Sequence, residues 1–107
     1  MGSDADSAAK GLIGALANAR RLDIVRLVGE RERSVSELSR ALGLSQSALS
    51  QHLGRLRREG VVSTRRDGVS IYYLAADPDA LALAIALGTL AEKRRAASQL
   101  ADGQESS

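Results

Sequence analysis

The stretch SQSALSQHLGRLRREG, residues 45–60, places hydrogen-bonding and cationic side chains along one side of a predicted helix. Leu49, Leu53 and Leu56 recur at spacings of four and three and form an apolar stripe on the other side. Glutamine and serine can pair with base edges, whereas arginine can neutralise phosphates. The residues on this side that we predict to contact double-stranded DNA are Gln46, Ser47, Ser50, Gln51, His52, Arg55, Arg57 and Arg58.

Positive charge is concentrated in the same part of the chain. Residues 20–66 contain eleven arginines and five acidic residues, a net charge of +6, although the whole chain carries a formal net charge of only +2. This uneven distribution is typical of a surface that binds nucleic acid. Solvated surface charge is the alternative interpretation for any single arginine.

Two short helices joined by a tight turn are predicted to position the polar side. Ser34 and Glu37 have the spacing of a capping box, and Gly43 ends the first helix. Ser45 begins the second helix, which ends at Gly60.

After this stretch the periodicity changes from helical to alternating. The runs VVSTRR and VSIYYLA are rich in β-forming residues and flank an Asp-Gly pair, which predicts a hairpin. Arg65 and Arg66 lie near its tip, where we expect contacts with the DNA backbone or minor groove. Tyr72 and Tyr73 alternate along the second strand, so one should pack inward and the other should face solvent or DNA.

Helices are predicted on both sides of this unit. Residues 7–17 and 19–30 form the first two, and the Asp77-Pro78 pair starts a last helix that runs to about residue 100. The predicted order is α-α-α-α-β-β-α, a mainly α fold with a β-hairpin that matches a winged helix-turn-helix.

The composition limits the chemistry that is available. The 107 residues contain no cysteine, which removes disulfides, thiolate metal sites and cysteine nucleophiles. The N-terminus lacks the basic start and continuous apolar stretch of a signal peptide, so we expect a cytoplasmic protein. We expect one domain, residues 8–101, between a flexible N-terminus, residues 1–7, and a flexible tail, residues 102–107.

The most apolar run is ALALAIALGTLA, residues 80–91. It is shorter than the roughly 20 residues that a membrane span needs, so we expect no membrane partner. Because it is apolar on nearly every side, it should contact both its own core and a second copy of the chain.

Residues 19–76 resemble the ArsR/SmtB family of bacterial transcriptional repressors. The matching segments are LDIVRLV, SVSELSRALGLSQSALSQHLGRLRREGVV and RRDGVSIYYL. The resemblance implies a homodimer that pairs through its first and last helices and presents two helices to a pseudo-palindromic operator. On that basis the expected interface residues are Leu12, Ile13, Leu16, Leu83, Ile85, Leu87 and Leu90.

Many members of that family release DNA on binding a metal or on thiol oxidation. One group uses cysteines that this sequence lacks, and another uses four ligands along the last helix. By resemblance those four positions hold Asp77, Asp79, Leu90 and Lys93, so that site is expected to be absent. A divalent metal such as nickel or zinc would need nitrogen and oxygen ligands, for which the candidates are Asp77, Asp79 and His52. The alternatives are helix capping for the two aspartates, and packing or phosphate contact for His52.

The leading hypothesis is a homodimeric, sequence-specific regulator of transcription, a repressor that responds to an unidentified effector. A regulator without an effector is one alternative. A winged-helix protein-interaction module is another, although docking faces usually present apolar or aromatic anchors. An enzyme is not predicted, because nothing positions a Ser-His-Asp arrangement around the single histidine.

Overall fold

The computed structural model describes residues 3–105, and within them the helical order predicted from the sequence is confirmed. The helices are α1 (Ser3–Leu16), α2 (Ala19–Glu30), α3 (Val35–Leu42), α4 (Gln46–Arg58) and α5 (Pro78–Glu105). The strands are β1 (Arg33–Ser34), β2 (Val62–Asp67) and β3 (Ser70–Ala75). Among these residues, no helix is both long enough and apolar enough to cross a bilayer.

The structure adds one element that the sequence did not predict. The two-residue strand β1 pairs antiparallel with β3, Arg33 opposite Tyr73 and Ser34 opposite Tyr72, so the sheet has the order β1-β3-β2. Two residues are too few to show an alternating pattern.

The terminal helices are longer than predicted. The first helix starts at Ser3 rather than near residue 7, with Asp4 and Asp6 in its first turn, where acidic side chains complement the helix dipole. The last helix continues to Glu105 instead of ending near residue 100. The ends predicted to be flexible, residues 1–7 and 102–107, lie partly outside the described residues.

The core forms where α2 packs against the other elements. The predicted apolar stripe of α4 is buried, and Tyr73 packs against the same core as the inward tyrosine of β3. The fully or almost fully buried residues are Ala15, Leu16, Ile24, Val25, Val28, Leu38, Leu49, Leu53, Leu56, Val61, Val62, Ala80 and Ala84. Because the leucine stripe of α4 is buried, the opposite side of this helix faces solvent.

Local hydrogen bonds fix the turn between α3 and α4. Ser34 and Glu37 form the predicted capping box, in which each backbone N–H donates to the other side chain at 3.2 Å. The Ser39 hydroxyl donates to the carbonyl of Leu44 at 2.6 Å, and Ser45 accepts from the backbone N–H of Ala48 at 3.1 Å. These contacts set the direction in which α4 leaves the turn.

Glycine is required at the end of α3 and is dispensable within α4. Gly43 has a φ of 66°, so we expect Gly43→Ala to lower the free energy of unfolding by about 1–2 kcal/mol. Gly54 lies inside α4, and nothing is within 4 Å of the position of an added Cβ. Gly54→Ala should therefore raise the free energy of unfolding by up to about 1 kcal/mol. Urea denaturation of both variants measures these changes. Changes of the same sign in the free energy of unfolding would contradict the two predictions.

Candidate nucleic-acid interface

The solvent side of α4 is polar along its length. Gln46, Ser47, Ser50 and Gln51 are exposed in its first turns. Arg57 and Arg58 are exposed in its last turn. The helix therefore presents small hydrogen-bonding groups first and cations last, in the order in which we predicted base and phosphate contacts.

A cleft of about 380 Å³ joins the start of α4 to the hairpin of β2 and β3. Gln46 and Ser50 line one wall, and Val69, Ser70 and Ile71 line the other. The start of α3 completes the cleft with Ser34, Val35 and Ser36. The hairpin and the polar side of α4 thus border the same surface.

The register of the hairpin separates its two arginines. Arg66 lies opposite Ile71, and Arg65 lies opposite Tyr72. Residues directly opposite in an antiparallel pair project from the same face of the sheet. Arg66 therefore shares the face of Ile71, which lines the cleft beside α4, while Arg65 projects from the other face.

Arg65 is held by contacts within the chain. Its Nε donates to Glu32 at 3.0 Å, a second N–H donates to the other carboxylate oxygen, and its guanidinium lies 5.0 Å from the centre of the Tyr72 ring. The hydrogen bond from Arg65 lowers the pKa of Glu32, and the same bond raises the pKa of Arg65. By contrast, no ion pair or side-chain hydrogen bond found among residues 3–105 involves Arg66. The sequence prediction assigned both arginines one role, and the structure distinguishes them.

His52 and Arg55 lie on the flank of α4 that faces α1 and α2. The Nδ1 atom of His52 is 3.3 Å from Nη1 of Arg21. A Cβ at Gly14 of α1 would lie 2.6 Å from Nη2 of Arg55, so this guanidinium sits against α1. Both side chains are half-buried. The packing interpretation of His52 is the one that this geometry favours, and the guanidinium of Arg55 lies against α1.

The three candidate metal ligands do not come together in one site. The Asp77 carboxylate accepts from the backbone N–H groups of Asp79 at 2.9 Å and Ala80 at 3.3 Å, which is the geometry of a helix cap at the start of α5. Within the part of the chain that the structure describes, no three His, Asp or Glu side chains are close enough to hold a metal. His52 has the cationic Arg21 beside it, which disfavours a bound cation there.

An apolar groove of about 520 Å³ lies between α1, the start of α2 and α5. Ile13, Leu83 and Leu90 line it and are 60%, 40% and 47% exposed, so they form a contiguous exposed apolar patch. Leu87 lines it as well and is half-buried. Five of the seven residues expected at a homodimer interface therefore line the groove, four of them with exposed surface and the fifth, Leu16, as its buried floor.

Leu16, Leu12 and Ile85 contribute no exposed surface to the groove. Leu16 has no exposed surface and forms the floor of the groove from within the core. Leu12 packs against the core of its own chain. Ile85 is 48% exposed but does not line the groove, because five residues at about 100° each rotate it by about 140° from Leu90. Helical spacing alone did not show which flank of α5 the groove occupies.

Comparison with known proteins identifies the family. The model of the bacterial regulatory protein, arsR family, matches residues 18–64. The transcriptional activator HlyU of Vibrio cholerae is 47% identical over 72 residues, 67% of this chain and 67% of the relative.

Two similar solved structures extend the match beyond the sequence. The transcriptional repressor BigR from Xylella fastidiosa is 39% identical with a TM-score of 0.69, covering 84% of this chain and 88% of that one. The homodimeric winged helix-turn-helix DNA-binding domain of Mb0332 from Mycobacterium bovis is 30% identical with a TM-score of 0.77, covering 87% and 86%. The chain thus belongs to the arsR family of bacterial regulatory proteins and is a winged helix-turn-helix, DNA-binding transcriptional regulator rather than an enzyme.

Proposed function

We propose that the chain binds a specific DNA duplex as a homodimer, with the exposed side of α4 in the major groove and Arg66 on the adjacent backbone. The observation that carries this proposal is the polar side of α4 beside the Arg66 face of the hairpin. A major groove about 12 Å wide accepts a helix whose inserted side is polar and small. Gln51 and Ser47 suit base edges, and Arg57 and Arg58 suit phosphates.

A second copy of the chain is the proposed occupant of the apolar groove. Exposed leucines and isoleucine on α1 and α5 would lose contact with water on pairing, which favours association. The similar domain from M. bovis is homodimeric. A two-fold pair would also present two copies of α4, as an inverted repeat in DNA requires.

The proposed sign of regulation is repression, because a dimer that occupies a promoter can block access without a further protein contact. HlyU is named an activator and BigR a repressor, so the relatives include both signs. The proposed effector is unidentified. A divalent metal such as nickel or zinc would have to use nitrogen and oxygen ligands, since these 107 residues offer no thiolate.

The salt dependence of DNA affinity tests the proposed function. A duplex enriched from a randomised pool by the purified protein is compared with a shuffled duplex of the same composition. We expect the enriched duplex to bind at least about a thousandfold more tightly. Its log-log salt slope should be several units negative. Equal, weak binding to both duplexes would instead support a protein-interaction module.

Substitutions of the two hairpin arginines, Arg65 and Arg66, should change the salt slope by different amounts in the same assay. Arg66→Ala removes a cation from the hairpin face that Ile71 shares, so we expect the salt slope to become shallower by about 0.9, the value for one phosphate contact. Arg65→Ala removes a cation that Glu32 already neutralises, so the slope should change by less than half as much. Equal slope changes in the two variants would refute this assignment.

A further inference from the structure

Arg21 of α2 joins three elements through one guanidinium. Its Nε donates to the carbonyl of Ala15 at 2.6 Å, and its Nη2 donates to the carbonyl of Gly14 at 3.2 Å, both in the last turn of α1. Its Nη1 lies 3.3 Å from Nδ1 of His52 in the middle of α4. Arg21 therefore contacts both α1, which borders the apolar groove, and α4, which carries the polar side proposed to face DNA.

A hydrogen bond across this contact depends on the protonation state of His52. Arginine carries only donors, so Nδ1 must be the acceptor and the imidazole must be neutral, with its proton on Nε2. A second proton on Nδ1 would point a donor at a donor and place two cations side by side. The contact therefore exists only while His52 is uncharged.

The charges around His52 also favour the neutral ring. Burial lowers its pKa from the ordinary value of 6.5, and Arg21 and Arg20 of α2 lower it further. Arg55 of α4 adds positive charge beside Arg21. Glu59, which follows the last residue of α4, lies farther away, against Gly11 of α1. No ion pair among residues 3–105 supplies a carboxylate to His52.

We propose that Arg21 and His52 form a positioning link that holds α4 against the end of α1, and that DNA binding requires His52 in its neutral form. The proposal rests on the proposed role of α4 at the DNA. When His52 gains a proton, Arg21 is repelled, the carbonyls of Gly14 and Ala15 lose their donor, and α4 is no longer fixed for groove entry. Because the neutral form is favoured in the fold, the link is complete above about pH 6.5 and is lost as pH falls through the lower folded value.

The sign of the pH effect separates this role from direct DNA contact. If His52 contacted phosphate, its protonation would add a cation at the interface and affinity would rise in acid. The positioning link predicts the opposite. For the untagged protein at constant ionic strength, we expect affinity for the enriched duplex to be constant above about pH 6.5 and to fall progressively below it. The loss at about pH 5.5 should be less than about tenfold, because the pKa of His52 lies below 6.5.

Two substitutions at His52 make the test specific. His52→Asn keeps an acceptor near the Nδ1 position but cannot titrate, so affinity at about pH 7.5 should stay within about twofold and the acid loss should disappear. His52→Leu removes the acceptor at similar volume, so affinity should be about tenfold lower at every pH. If His52→Leu does not fold, the comparison of the wild type with His52→Asn decides.

The single imidazole permits an independent reading by proton NMR. In the untagged protein, we expect the ring of His52 to titrate below 6.5 and Arg21→Gln to raise its pKa towards that value. An affinity that rises in acid, or an acid loss that His52→Asn retains, would overturn the proposal. Absence of any preference for the enriched duplex would instead remove the proposed function itself.

Discussion

Leu90→Asp is expected to convert the proposed homodimer into monomers and to lower affinity for the enriched duplex by roughly a hundredfold or more. Leu90 lines the apolar groove and is 47% exposed in the single chain, so the change should leave the fold of one chain intact. A carboxylate in an apolar interface would lose its hydration, a cost that a pair with Arg94, four residues along α5 at the edge of the groove, would offset only in part. Each monomer would then engage one half-site without the effective concentration that a linked second site supplies.

Ile85→Asp is the matched control for this prediction. Ile85 is 48% exposed on the same helix, but it lies on another flank and does not line the groove. We expect Ile85→Asp to remain dimeric and to bind DNA within about twofold of the wild type. Sedimentation velocity and titration of the enriched duplex measure both properties. Two variants with the same oligomeric state would show that the groove is not the interface.

Ser47→Glu is expected to abolish specific DNA binding while slightly stabilising the fold. Ser47 is exposed in the first turn of α4, where an acidic side chain interacts favourably with the helix dipole. The free energy of unfolding should therefore rise by about 0.3–1 kcal/mol. The same carboxylate would meet the negative potential of the groove, so affinity should fall about a hundredfold or more.

Gln99→Glu makes the same change in charge on an exposed residue of α5 rather than on α4 or the hairpin. Gln99 also lies on the side of α5 opposite Leu90, since successive helical residues turn by about 100°, so the proposed dimer should be unaffected. Gln99→Glu should lower affinity for the enriched duplex by less than about threefold, as expected from the change in net charge alone. Urea denaturation and fluorescence anisotropy with the enriched duplex give the two quantities. A destabilised Ser47→Glu variant, or equal losses of affinity for the two variants, would contradict the placement of α4.

Features that depend on neighbouring residues along one helix or strand were predictable from the sequence. The stripe of Leu49, Leu53 and Leu56 correctly predicted the buried side of α4, because periodicity reports burial around a helix axis. The capping box at Ser34 and the turn at Gly68 followed from residue types that satisfy local backbone geometry. Such signals also predicted the order of elements, apart from the two-residue strand β1.

Contacts between distant parts of the chain were not predictable in the same way. The Arg65–Glu32 pair joins residues 33 apart, and the Arg21–His52 contact joins residues 31 apart. Long side chains choose partners through the packing of whole elements, which spacing along one helix does not encode. For that reason the sequence pattern assigned Arg65 and Arg66 a single role, and it placed His52 with the DNA-contacting residues.

The base preference of Gln51→Ala tests most directly whether the exposed side of α4 reads the major groove. Wild type and variant are used to enrich duplexes from the same randomised pool at the same salt concentration. For the wild type we predict an inverted repeat with half-sites about 10 bp apart or at a multiple of that spacing. For Gln51→Ala we predict relaxed preference at one position in each half-site, with the rest of the repeat retained. An identical base preference for both proteins, or an enriched sequence without a repeat, would contradict the placement of α4 in the major groove.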